Sequence, residues 1–248
     1  MTAPTFSHRL LAWFDRHGRH DLPWQHPRDP YRVWLAEIML QQTQVAAVVP
    51  YFQRFVARFP SIQALAEAPA DDVLQHWAGL GYYARARNLQ RAAQIMVGEH
   101  NGQFPRALEA ATALPGIGRS TAGAVLAQAY GLRHAILDGN VKRVLARYAA
   151  VSGWPGEPKV QKQLWAISES LLPQVRLTDY TQAIMDLGAT LCTARNPACG
   201  RCPVSADCQA YLQGRTAQFP AARPKRERPQ RQAQLLLVEN AAGELLLE

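Results

Sequence analysis

Apolar residues recur at helical spacing through most of the chain. Phe6, Leu10, Leu11 and Phe14 fall on one helical face. Asp29-Pro30 supplies a stop and restart, with proline suited to a first helical turn. The stretch from Tyr31 to Val49 is long and largely apolar, and Pro50 follows it. Ser61 can cap a short helix carrying Ile62 and Leu65. Asp71 and Asp72 put negative charge in the first turn of another, ahead of Val73, Leu74 and Trp77. A longer helix is expected from about Tyr83 to His100, ending at Asn101-Gly102. Shorter ones are expected near 106–113, 119–130, 140–150, 159–172 and 178–192. No strand-like alternation occurs up to residue 213, so the expected class is all-α, as one many-helix domain or a pair.

The pattern changes after Gly214. Residues 214–232 hold six Arg/Lys, one Glu and three Pro, a composition that suits an extended linker, either simply solvated or lying along a DNA backbone. Residues 234–238 and 244–248 then read as two strands around a turn. A lone hairpin is marginal in water, so these residues are expected to open a β-containing domain that is truncated here.

Charge narrows the partners. The chain carries 27 Lys+Arg against 19 Asp+Glu, a formal net charge of +8. A polyanion is the first partner to consider, although a basic balance also simply keeps proteins soluble. No apolar run approaches the ~18 residues of a membrane span, and the N-terminus lacks a secretory pattern. A soluble cytoplasmic protein with no membrane partner is expected.

Four cysteines, Cys192, Cys199, Cys202 and Cys208, are the only ones among 248 residues, and they lie in a C-x6-C-x2-C-x5-C arrangement. Thiolates gathered this closely suit a soft metal. Structural zinc favours two paired-Cys knuckles, and only one pair is present, so one [4Fe–4S] cluster fits better while zinc stays open. Such a centre can be purely structural.

Between two helical patterns lies Leu114-Pro-Gly-Ile-Gly118. Gly116 and Gly118 permit φ > 0 and close backbone approach, and the helix starting near Arg119-Ser120-Thr121 would turn its free N–H groups toward a phosphate. An ordinary glycine-capped turn is the plainer alternative. Glu37 sits among Trp34, Leu35, Ile38, Met39 and Leu40. Facing inward it would hold a proton near neutral pH, as a general acid must; facing outward it is a solvated surface carboxylate. Asp138, 20 residues beyond Gly118, is either a plain helix N-cap or a carboxylate beside a scissile sugar, where it could stabilise an oxocarbenium-like transition state.

Taken together, the hairpin, the aspartate beyond it and the cysteine spacing resemble the helix-hairpin-helix DNA glycosylase superfamily. Within it, Trp34 to Val45 (WLAEIMLQQTQV), Gly79 to Arg87 (GLGYYARAR) and Leu137 to Val144 (LDGNVKRV) are similar to the adenine DNA glycosylases. The resemblance spans about 5–213. It implies two helical domains flanking a DNA cleft: residues 22–132 as a six-helix domain with the hairpin, and residues 1–21 with 133–213 as a cluster domain. After the 214–232 linker, 233–248 look like the start of a Nudix-like domain. The implied reaction is hydrolytic excision of adenine mispaired with 8-oxoguanine or guanine in double-stranded DNA, after base flipping. Glu37 would protonate adenine N7. Asp138 would stabilise the sugar cation, with Asn140 orienting it. Gln42 and Tyr82 match residues that enter the base stack, with Gln41 adjacent. Leu114, Gly116, Gly118 and Ser120 would contact DNA, and Trp24 and Gln182 would line the base pocket. Cys192, Cys199, Cys202 and Cys208 would hold the cluster.

Where endonuclease III-like relatives carry a lysine that attacks C1′, this chain has Ser120, so a monofunctional enzyme is expected. A bifunctional lyase and a non-enzymatic cluster-bearing DNA-binding module are the competing readings. The expected protein is a nucleoid-associated monomer.

Overall fold

The computed structural model describes residues 5–224 and 242–243. The described residues are all-α, with twelve α-helices and no strand among them: α1 (Phe6–His17), α2 (Pro30–Met39), α3 (Val45–Arg58), α4 (Ile62–Glu67), α5 (Ala70–Trp77), α6 (Ala84–Glu99), α7 (Leu108–Ala113), α8 (Arg119–Tyr130), α9 (Gly139–Tyr148), α10 (Pro158–Ser170), α11 (Leu177–Thr190) and α12 (Gln209–Leu212). No helix among them is long and apolar enough to cross a membrane.

Local chemistry sets several boundaries. Thr5, Asp29, Ser61 and Asp138 each cap a helix by accepting a backbone N–H three residues on. Gly131, at φ +66°, closes α8 in the left-handed conformation.

The apolar stretch from Tyr31 to Val49 belongs to two helices, because the chain leaves helical geometry between Leu40 and Gln44. Pro50 is not a boundary: it lies inside α3. Both it and Ala46, whose carbonyl loses its i+4 partner, are exposed, so water can satisfy the orphaned oxygen.

Two hydrophobic cores organise the molecule. The first is built from α2 to α8, around Trp34, Phe52, Phe55, Phe59, Trp77 and Leu126. The second combines the face of α1 (Phe6, Leu10, Leu11, Phe14) with Leu145, Leu164, Tyr180, Ile184, Leu187 and Val204. Helix α8 joins them, packing against α2 on one side and α11 on the other. Accordingly every residue from Ala122 to Gln128 is buried, the pattern of a helix covered all round. Its small residues permit this: a Cβ on Gly123 would lie 2.5 Å from the Ala135 carbonyl oxygen.

Part of the basic segment read as a solvated linker is docked. Phe219 is buried, and its carbonyl accepts from Arg147 Nε at 2.9 Å. The hairpin expected over 234–248 lies outside the described residues, apart from Ala242 and Gly243.

Candidate active site

Glu37 lies near the end of α2 on the side that meets α8. Its apolar sequence neighbours enter the core, while its own carboxyl borders a cleft of about 740 Å³ and accepts a hydrogen bond from Gln128 Nε2 at 3.0 Å. Desolvation, then the nearby Asp138 charge, push its pKa from 4.5 up to about 7; the Gln128 hydrogen bond pulls the other way. Of the two orientations open in the sequence, the inward one is found.

Asp138 borders the same cleft from the other core. It is both a cap and a cleft residue: Oδ1 accepts from Val141 N at 2.7 Å. Burial raises its pKa, while the N–H groups of Val141 and Asn140, and the charges of Arg143 and Lys142, pull it down. Like charges in one cleft oppose each other, so ionising one of these two carboxyls disfavours ionising the other.

The loop carrying Asp138 is tied to the hairpin helix: Ser120 Oγ accepts from Leu137 N at 2.9 Å. Asn140 meets Asp138 through its backbone N–H, while its side-chain amide turns to Arg143, the amide oxygen accepting from Arg143 Nη2 at 2.7 Å. Arg143 also donates to the Gly188 and Cys192 carbonyls at 2.6 and 2.7 Å, linking this loop to the first cysteine.

Trp24 and Gln182 line the cleft as well. Trp24 is also a core residue, edge-on to Phe52. Gln182 is held by Asp186, whose carboxylate accepts from Gln182 Nε2 at 2.8 Å and from the Arg19 backbone and guanidinium at 2.5–2.9 Å. Gln182 Oε1 is left buried without a partner.

Two tips stand at the rim. Gln41 borders the cleft, whereas Gln42 and Tyr82 are exposed and adopt φ of +60° and +50°, unusual for residues with side chains. Arg85 staples both loops from beneath. Its Nη1 donates to Met39 O at 2.8 Å and Gln41 O at 2.7 Å, and its Nη2 to Leu80 O at 3.1 Å and Gly81 O at 3.3 Å.

In the 114–118 hairpin, Leu114 and Ile117 are anchored in the first core. Gly116 uses φ +78°, but Gly118 does not need positive φ: it sits at −89° and caps α8. A Cβ there would meet nothing within 4 Å, so what Gly118 offers is an open approach to the N–H groups of the first turn.

All four cysteines border one further, small cavity of about 20 Å³, walled by Val144, Leu187, Leu191 and Val204. Burial raises the pKa of Cys199, Cys202 and Cys208, that of Cys202 to about 11, and the neighbouring thiols add to it. Thiols gathered this closely would ionise together only around a cation, and the soft donor set suits a metal centre. Buried Arg147 already offers Nη1 to Cys192 Sγ at 3.4 Å.

A family model of HhH-GPD superfamily base excision DNA repair proteins matches residues 35–170, and one of the iron-sulfur binding domain of endonuclease III matches 192–208. The adenine DNA glycosylase of Buchnera aphidicola subsp. Acyrthosiphon pisum (strain APS) is 42% identical over 240 residues, 97% of this chain and 69% of that protein. The human adenine DNA glycosylase is 44% identical over 214 residues, 83% of this chain and 39% of that protein.

The chain belongs to the HhH-GPD base excision repair superfamily, in its adenine DNA glycosylase branch.

A solved thermostable thymine-DNA glycosylase is similar at 30% identity, with a TM-score of 0.76 and coverage of 84% of this chain and 95% of that one. A non-covalent endonuclease III–DNA complex shares the fold, at 22% identity and a TM-score of 0.70. Membership makes DNA the partner and an iron–sulfur centre the cofactor carried by residues 192–208.

Sequence reasoning missed Arg19, Arg85, Gln128, Arg143, Arg147 and Asp186. Gln128 alone had a visible signal, as a lone amide in the otherwise small and apolar run from Ala122 to Ala129.

Proposed function

We propose that this chain hydrolyses the N-glycosidic bond of adenine paired with 8-oxoguanine or guanine, and that it leaves the strand uncut. The observation that carries the reading is the convergence of Glu37 and Asp138, from two different cores, on one cleft. Adenine must first leave the stack. Gln42 and Tyr82, exposed and in left-handed backbone geometry, would fill the gap, with Gln41 next to Gln42. The hairpin from Leu114 through Gly116 and Gly118 to Ser120 grips the backbone through N–H groups.

In the cleft, Glu37 gives its proton to adenine N7. The C1′–N9 bond then breaks with its electron pair leaving on a neutral base. Asp138 stabilises the positive charge developing at C1′, and water adds there, its released proton returning to the Glu37 carboxylate. The roles need one neutral carboxyl and one anion, a division that two like charges sharing a cleft favour. Trp24 and Gln182 form walls of the base pocket. Ser120 offers a hydroxyl already engaged with Leu137 N, and no amine for a Schiff base, which supports a monofunctional reaction.

Cys192, Cys199, Cys202 and Cys208 would hold one [4Fe–4S] cluster. Its contribution would be to fix residues 192–208, and through Arg143 the loop of Asp138, in place. We read the two cores as two domains acting as a monomer.

The test is single-turnover adenine release from duplexes with A·8-oxoguanine and A·G pairs, with strand breaks scored with and without alkali. Base release with breaks only after alkali supports the proposal. Breaks without alkali overturn its monofunctional part, and absence of adenine release overturns the whole.

A further inference from the structure

Gln128 lies on α8 at 3% exposure, between apolar neighbours. A buried amide needs partners, and this one gives Nε2 to Glu37 Oε1 at 3.0 Å, across 91 residues of sequence. We infer that Gln128 is a positioning residue for Glu37: by claiming Oε1 it assigns the transferable proton to Oε2, the oxygen left to face the base. This rests on the reading of Glu37 as general acid and extends it.

The chemistry follows from the donor inventory. An amide N–H only donates, so the oxygen it meets must accept. In a neutral carboxyl group that oxygen is the carbonyl one, and the O–H sits on the other. Once the proton has gone to the base, the same hydrogen bond becomes charge-assisted and strengthens. Gln128 therefore both aims the acid and stabilises the carboxylate that donation leaves behind. Burial and Asp138 make Glu37 a weak acid, and Gln128 tempers that weakness.

Few other charges reach Glu37. Asp138 faces it from the start of α9. Arg19 borders the same cleft but is committed to Asp186. Arg85 of α6 reaches the end of α2 and is committed to the carbonyls of Ile38, Met39 and Gln41. Gln128 is thus the group to change if the pKa of Glu37 is to be altered without touching a charge.

The experiment uses the cluster-loaded protein with Gln128→Met and Gln128→Leu, which keep approximate bulk and remove the donor. Single-turnover adenine release is followed against pH on an A·8-oxoguanine duplex. In DNA-free protein, the Glu37 carboxyl stretch is titrated by infrared difference against Glu37→Gln. Removing a hydrogen bond to a charged group should move the alkaline limb and the infrared midpoint up together by roughly one pH unit. A packing defect alone would lower the rate and leave both midpoints in place, and that result overturns the inference.

If neither variant folds, the wild-type protein decides. The side-chain amide proton resonances of Gln128 should shift with the titration of Glu37 and be pH-independent in Glu37→Gln. Resonances that ignore pH in the wild type overturn the inference. Should Glu37→Gln release adenine at the wild-type rate, the general-acid reading fails, and the infrared and resonance titrations still judge the hydrogen bond by itself.

Discussion

Replacing Arg85 with methionine removes the staple beneath the two rim loops and leaves Glu37 and Asp138 in place. Five carbonyl oxygens lose a charged donor: Ile38, Met39 and Gln41 on one side, Leu80 and Gly81 on the other, at 2.7–3.3 Å. Bonds to charged groups contribute ~1.5–3 kcal/mol each, but here two nitrogens are shared among several acceptors at a partly solvated site, so about 3 kcal/mol in total is a reasonable figure. Much of that stabilisation keeps Gln42 and Tyr82 in left-handed backbone geometry, which costs on the order of 1–3 kcal/mol per residue. Without the staple, both tips relax and must be ordered again at each encounter with DNA. At 1.4 kcal/mol per factor of ten, roughly 10- to 100-fold of the excision rate is at stake. The assay compares single-turnover release from an A·G duplex with release from a duplex whose adenine faces an abasic site and is already unpaired. Arg85→Met should lose that factor on the paired substrate and little on the unpaired one. An equal loss on both, or none on either, would refute the reasoning.

Three further outcomes are expected. Asp138→Asn keeps a side-chain oxygen for the α9 cap, so urea unfolding should move by less than about 0.5 kcal/mol while adenine release falls roughly 10²–10³-fold. Glu37 holds its proton to about pH 7 when folded and to about 4.5 otherwise. Between those values the native state binds more protons, so stability falls as pH rises through that window, and the melting temperature of Glu37→Gln minus that of wild type should grow from pH 4.5 to 7 and then level off. Gly188→Ala sets a Cβ 2.7 Å from Asn140 Cβ and 3.1 Å from its backbone; about 1–3 kcal/mol of stability and part of the excision rate should be lost, as read by urea midpoint and single-turnover kinetics.

Periodicity carried the helices well where one face is apolar or a cap residue is present. The 119–130 pattern is α8 with the same limits, and Ser61 caps α4 as expected. It was blind between α2 and α3, because Leu40 to Gln44 contains neither glycine nor proline and the turn relies on a left-handed glutamine. Each catalytic candidate was legible as a residue but not in its orientation. The neighbours of Glu37 in sequence point away from it into the core, and what surrounds its carboxyl comes from α8 and the start of α9. Pairs such as Arg19 with Asp186, 167 residues apart, leave no local trace.

The second core draws on both flanks of the chain, and this has a consequence for biosynthesis. Helix α1 emerges from the ribosome carrying Phe6, Leu10, Leu11 and Phe14, yet its shelter under α11 is not translated until residues 177–190 appear. At ~5–20 residues per second, that interval lasts on the order of 10–30 s. The 22–126 core has all its parts in hand well before then. During the delay a greasy amphipathic segment stays uncovered on the nascent polypeptide, a standing invitation to a chaperone that binds apolar surfaces.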